Sequence, residues 1–124
     1  MSANPMRLVI LESPFAGDVA RNVEYARACV RDSLLRGEAP LASHLLYTQP
    51  GILNDEEPFE RAHGISAGHA WIDHADAMVV YTDRGISYGM KAGISAAELR
   101  KLPIEYRKIT DDDSPTGERE LSQK

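Results

Sequence analysis

Along this chain, short apolar runs alternate with longer stretches in which apolar residues recur at helical spacing, and turn signals separate them. Residues 7–12, RLVILE, make the first run, closed by Ser13-Pro14 and Gly17, which predicts a buried strand entering a loop. Asp18 is placed to cap a helix whose apolar positions Val19, Val23, Ala26, Val30 and Leu34 fall three and four residues apart before Gly37 stops it. A weaker strand is expected at about 39–42, with Ser43, His44 and Tyr47 near its end. Thr48 to Pro58 contains Pro50-Gly51, Asn54-Asp55 and a run of acids, which predicts a long loop that moves when no ligand holds it. A second helix is expected from about Glu57 to His74, where Phe59, Ala62, Ile65, His69 and Ile72 keep helical spacing and Gly64 and Gly68 permit close approach to a neighbour. Residues 77–81, AMVVY, form the clearest buried strand. TDRGISYG at 82–89 then turns into a helix from about Ser87 to Lys101, Leu102-Pro103 ends it, and 104–107 supplies a last short strand.

Strands alternating with helices require right-handed crossovers, so the fold class is α/β: one domain over 1–109, with a short parallel sheet of about four to five strands and helices on both faces. Residues 110–124 are polar almost throughout and are expected to be a disordered or loosely attached tail. Ligands in such folds sit outside the carboxyl ends of the strands, near the reversal of strand order. Ser13 to Asp18, His44 to Tyr47 and Thr82 to Gly89 are therefore expected to converge on one cleft.

Composition narrows the function classes. A chain of 124 residues with 43% hydrophobic content can bury one core without staples. The single cysteine, Cys29, has no intrachain partner, so a reducing compartment and a buried hydrophobic role are expected. MSANPMR lacks the pattern of a secretory signal and no apolar stretch is long enough for a membrane span, so a cytoplasmic protein without membrane association is expected. A formal charge of −5 argues against a nucleic-acid polymer as partner, whereas a small anion can still bind backbone amides at a helix start. None of His44, His63, His69 and His74 pair at the four-residue step of a helical zinc site, so no metal and no cofactor is expected.

Three places can carry chemistry. In Asp83 to Met90, Gly85 and Gly89 expose backbone amides and Ser87 adds a hydroxyl, which together make an anion cradle; the alternative is an ordinary capped helix after a tight turn. The segment matches neither a Walker loop nor a dinucleotide fingerprint. Ser13, Phe15, Gly17 and Asp18 offer an aromatic face, close approach and a carboxylate suited to a base and a sugar, unless Phe15 packs in the core beneath a capped helix. From the long loop, Asp55 can approach a sugar, with a solvated acidic run as the alternative. His44, alone among the histidines, stands at a predicted strand end where it can touch substrate. Glu12 is a further acid at the cleft, unless a cation pairs with it.

Three stretches, ILESPFAGD at 10–18, AWIDHADAMVVY at 70–81 and GISYGM at 85–90, resemble the nucleoside 2-deoxyribosyltransferase-like superfamily, which includes the deoxynucleoside 5'-monophosphate N-glycosidases. The resemblance implies a flavodoxin-like, three-layer domain, a nucleoside or nucleotide in the cleft, and homo-oligomers in which a neighbouring subunit helps close the site. By position, Ser13, Phe15 and Gly17 match the loop that touches sugar and base, and Ser87 and Gly89 match the turn that holds a 5'-phosphate, with Gly85 and Met90 flanking it. Enzymes of this group use a carboxylate nucleophile, supported by a second carboxylate, to break the N-glycosidic bond. This chain departs from them. About one helical turn after the loop it reads Lys91-Ala92-Gly93, the supporting acid is replaced by Gly68 or His69, and Glu98 lies too far along the helix to substitute. Asp18, Asp83 and Asp55 are the acids left to activate water in one step. The expected function is thus a divergent N-glycosidase or deoxyribosyltransferase-like activity, with a non-catalytic nucleotide-binding module as the alternative.

Overall fold

In the computed structural model, which describes residues 5–109, β1 (Arg7–Glu12) lies inside a sheet covered on both faces. Its residues Val9, Ile10 and Leu11 are all buried, which is why the strand reads as a continuous apolar run and not an alternating one. β1 pairs in parallel with β2 (Glu38–Leu41) on one side and with β3 (Ala77–Tyr81) on the other, and β4 (Ile104–Arg107) lies beyond β3. The order β2-β1-β3-β4 is that of a flavodoxin-like sheet, with the reversal at β1 and β3. Leu11 stands beside Val79 and Glu12 beside Val80.

Two apolar layers flank the sheet. On one face Tyr25 and Cys29 of α1 (Val19–Leu35) pack against Val9, Leu11, Val79 and Tyr81. On the other, Met90, Ile94 and Ala97 of α4 (Tyr88–Leu99) and Ile72 of a 3-10 turn (Trp71–His74) cover Ile10, Met78 and Val80. Each fully buried Val, Leu or Met among them contributes about 1.5–3 kcal/mol by leaving water. α2 (Ser43–Leu46) and α3 (Pro58–Ala70) pack on each other.

Three expectations need correction. Ser43 and His44 belong to a helical turn and not to a strand end, because the Ala42 carbonyl accepts from the Leu45 and Leu46 amides and bends the chain immediately after β2. Pro40 is tolerated in β2 because that strand is at the sheet edge. The second helix ends at Ala70 and tightens into the 3-10 turn. The buried stripe of α1 is Asn22, Tyr25, Ala26, Cys29 and Ser33, whereas Val19 and Leu34 are exposed. That stripe is selected by hydrogen bonds as well as by apolar contact: Asn22 donates to the Phe15 and Ala16 carbonyls and Ser33 to Glu38.

Glu38 and Arg107, both buried, form a two-contact ion pair at 2.9 and 3.0 Å. Burial alone would raise the Glu38 carboxyl, but hydrogen bonds from Arg107 and Ser33 hold it below its ordinary range. Among the described residues no helix is long and apolar enough to cross a membrane. The expected tail at 110–124 lies outside the described residues.

Candidate functional site

At the carboxyl end of β1, walled by α2, α3 and the start of α4, is a cavity of about 370 Å³. β1 delivers Glu12 and Ser13 to it as the strand leaves the sheet. The Ser13 hydroxyl lies 2.6 Å from His44 Nε2. Burial pushes the His44 imidazole down to about 4, so at neutral pH it is uncharged, with one ring nitrogen donating and the other accepting.

Glu12 is different in kind. Burial pushes its carboxyl up to about 8, and among the described residues no hydrogen bond or ion pair reaches its side chain. Among the described residues no cation pairs with it to make it a structural acid. On its α4 side stands Gly93, where a Cβ would fall 2.4 Å from Glu12 Oε2; only glycine lets the helix lie against the carboxyl group.

The α4 wall starts from a turn in which Gly85, at φ +83, takes a backbone conformation that side chains disfavour. Ser87 then caps the helix: its hydroxyl accepts from the Met90 amide at 3.3 Å, while the Met90 sulfur accepts from the Ser87 amide at 3.3 Å. The Tyr88 and Gly89 amides, in the first turn, have no partner within the helix. Opposite them, α3 presents Gly64, Ile65 and His69, and burial, with Arg100 adding to it, lowers the His69 imidazole below its ordinary value. Asp55 lines the cavity from the loop and is paired with Arg61 at 2.8 Å.

Of the residues singled out in the sequence, Ser13, Phe15, His44, Asp55, Ser87, Gly89 and Met90 come together around this one cavity. Phe15 is half-buried at its wall and belongs to neither apolar layer. Gly17, at φ +99, and Gly85 shape turns and are not among the lining residues. Asp18 and Asp83 also lie outside the lining. Asp18 caps α1, accepting from the Arg21 amide at 3.3 Å. Asp83 accepts from the Tyr25 hydroxyl at 2.6 Å and from the Ile109 amide at 3.0 Å, a joint between α1 and the chain after β4.

Residues 7–107 match the family described as "Domain of unknown function (DUF7768)". The chain belongs to this family. No curated protein matches the chain. Arg61 also lines the DUF7768 cleft and escapes a sequence reading, because it stands in no motif. Glu12 had one visible signal, an acid ending an otherwise apolar strand. Among the described residues no group of three His, Cys, Asp or Glu side chains is arranged to hold a metal ion.

Proposed function

We propose that this domain binds a nucleoside or nucleotide in the cleft and acts on its N-glycosidic bond, as a divergent relative of the nucleoside 2-deoxyribosyltransferase-like enzymes. One observation carries the reading: Ser13, Phe15, His44, Ser87, Gly89 and Met90, separated along the chain, line a single cavity of about 370 Å³ at the strand-order reversal. That volume is at the small end of the range of about 300–1,000 Å³ for small-molecule sites. Phe15 offers a face for a base. The start of α4, with the Ser87 hydroxyl and two amides, suits an anionic group such as a 5'-phosphate. By the same resemblance, the domain works as a homo-oligomer.

A second reading, a nucleotide-binding module without chemistry, is favoured by one specific feature: α4 carries Lys91-Ala92-Gly93 where the related enzymes carry an acid. The two readings separate in a single experiment. Deoxynucleosides, ribonucleosides and their 5'-monophosphates are screened for a rise in melting temperature, and those that bind are assayed for release of free base. Saturable base release supports the enzyme, binding without release supports the module, and no binding by any compound removes both.

A further inference from the structure

We propose that Glu12 is the catalytic acid of this cleft, its carboxyl group supplied from β1 into the space that Gly93 leaves open on α4. The inference rests on the N-glycosidic reading above and adds to it the group that performs the step. The acid missing from α4 and the acid present on β1 meet at the same point. A Cβ on Gly93 would lie 2.4 Å from Glu12 Oε2 and 2.8 Å from its carboxyl carbon, so the carboxyl group fills the volume next to the helix.

The other acids and bases facing the cavity are paired or uncharged, and its two phenols are bonded to Trp71 or open to solvent. His44 is neutral and bonded to Ser13. Asp55 is paired with Arg61, and Glu60 accepts from the Asn54 amide at 2.7 Å. The Tyr47 hydroxyl accepts from the Trp71 indole at 2.9 Å. His69 is lowered below its ordinary value, and Tyr88 is an exposed phenol. Glu12 is held protonated near neutral pH by burial and has no partner among the described residues. A protonated carboxyl is a poor nucleophile and a good proton donor, as general acid catalysis requires.

The step balances without a further reagent. The Glu12 carboxyl gives its proton to the departing ring nitrogen, the bond from that nitrogen to the anomeric carbon breaks with its electron pair staying on nitrogen, and water adds to the anomeric carbon. The proton lost by the water restores Glu12. The products are the free base and the free sugar or sugar phosphate.

The test compares wild-type protein with Glu12→Gln on two substrates, a nucleoside or monophosphate that binds and p-nitrophenyl 2-deoxyriboside, whose p-nitrophenolate leaving group needs no protonation. Loss of a placed general acid should lower base release by about 10²–10⁴-fold, with the dissociation constant changed by less than about threefold, while p-nitrophenol release is nearly retained. The fall in wild-type base release above about pH 8 should vanish in the variant. Gly93→Ala, which displaces the carboxyl group, should show the same dependence on leaving group even if Glu12→Gln fails to fold. Equal rates in wild type and Glu12→Gln, or equal loss on both substrates, overturns the role of Glu12 while leaving the N-glycosidic reading standing. A wild-type protein that releases base from nothing overturns that reading and the acid with it.

Discussion

Glu12 and His44 lie on opposite sides of their ordinary values, and the stability of the fold should record both. Glu12 is raised from 4.5 to about 8, so the stability it contributes is complete below pH 4.5 and is lost as pH rises to about 8. His44 is lowered from 6.5 to about 4, so its contribution is complete above pH 6.5 and is lost as pH falls to about 4. His69 shifts in the same direction as His44. Between pH 4.5 and 6.5 these slopes oppose one another. Between 6.5 and 8 Glu12 is the shifted group that acts among the described residues, since Cys29, pushed by burial from 9 up to about 12, enters only at higher pH. At about 1.4 kcal/mol per pH unit the loss across that window is up to about 2 kcal/mol. Urea unfolding should therefore give a lower midpoint at pH 8 than at pH 6.5 for the wild type, and nearly equal midpoints for Glu12→Gln. Equal wild-type midpoints would mean that the carboxyl group is solvated.

Among the elements, α4 makes the most direct link between fold and ligand, because the side chain that caps it also lines the cavity. Ser87→Ala removes the acceptor for the Met90 amide and should cost about 1 kcal/mol of stability. The same hydroxyl can donate to a charged ligand oxygen, a bond worth about 1.5–3 kcal/mol. Calorimetry on the variant should show a 5'-monophosphate losing more affinity than its parent nucleoside; equal losses would mean that the turn is a helix cap only. This turn was legible because glycine and serine at a strand-to-helix junction carry their geometry in the sequence. β1 and β3 were legible for a related reason, as short apolar runs with hard stops, and β4 from the Leu102-Pro103 stop before it. The buried face of α1 was not, because Asn22 and Ser33 are buried through bonds to the Phe15 and Ala16 carbonyls and to Glu38, partners that only the folded chain brings near. His44 was placed at the cleft, but the helical turn that carries it was missed for want of a side-chain signal: Ala42 caps α2 with its carbonyl alone. Glu12 could be seen as an acid, but its lack of a partner is a property of everything around it.

At the scale of the whole molecule, α3 is the element left unfinished. Its glycines are used within the chain: a Cβ on Gly68 would strike the Ser43 side chain at 2.4 Å, and one on Gly64 would stand 3.0 Å from Leu53. Its larger apolar side chains are left open to solvent. Phe59 is 83% exposed and Ile65 45%, and Ala62 between them is exposed too, so a helix with the spacing of a core element buries only Gly68. We propose that this face meets its copy in an isologous dimer, in which each Phe59 packs near the two-fold axis. Light scattering at tens of micromolar should then give twice the mass of the 13.7 kDa chain, and Phe59→Glu should return the monomer without unfolding it. Because Ile65 and His69 line the cavity while Phe59 and Ala62 point away from it, ligand and partner would act on the same helix. A ligand that binds the dimer more tightly than the monomer must strengthen the dimer by the same factor, so a bound nucleotide should lower the concentration at which the dimer dissociates. A wild-type protein that stays monomeric at tens of micromolar, with and without ligand, would leave α3 a solvent-facing helix and the dimer without support.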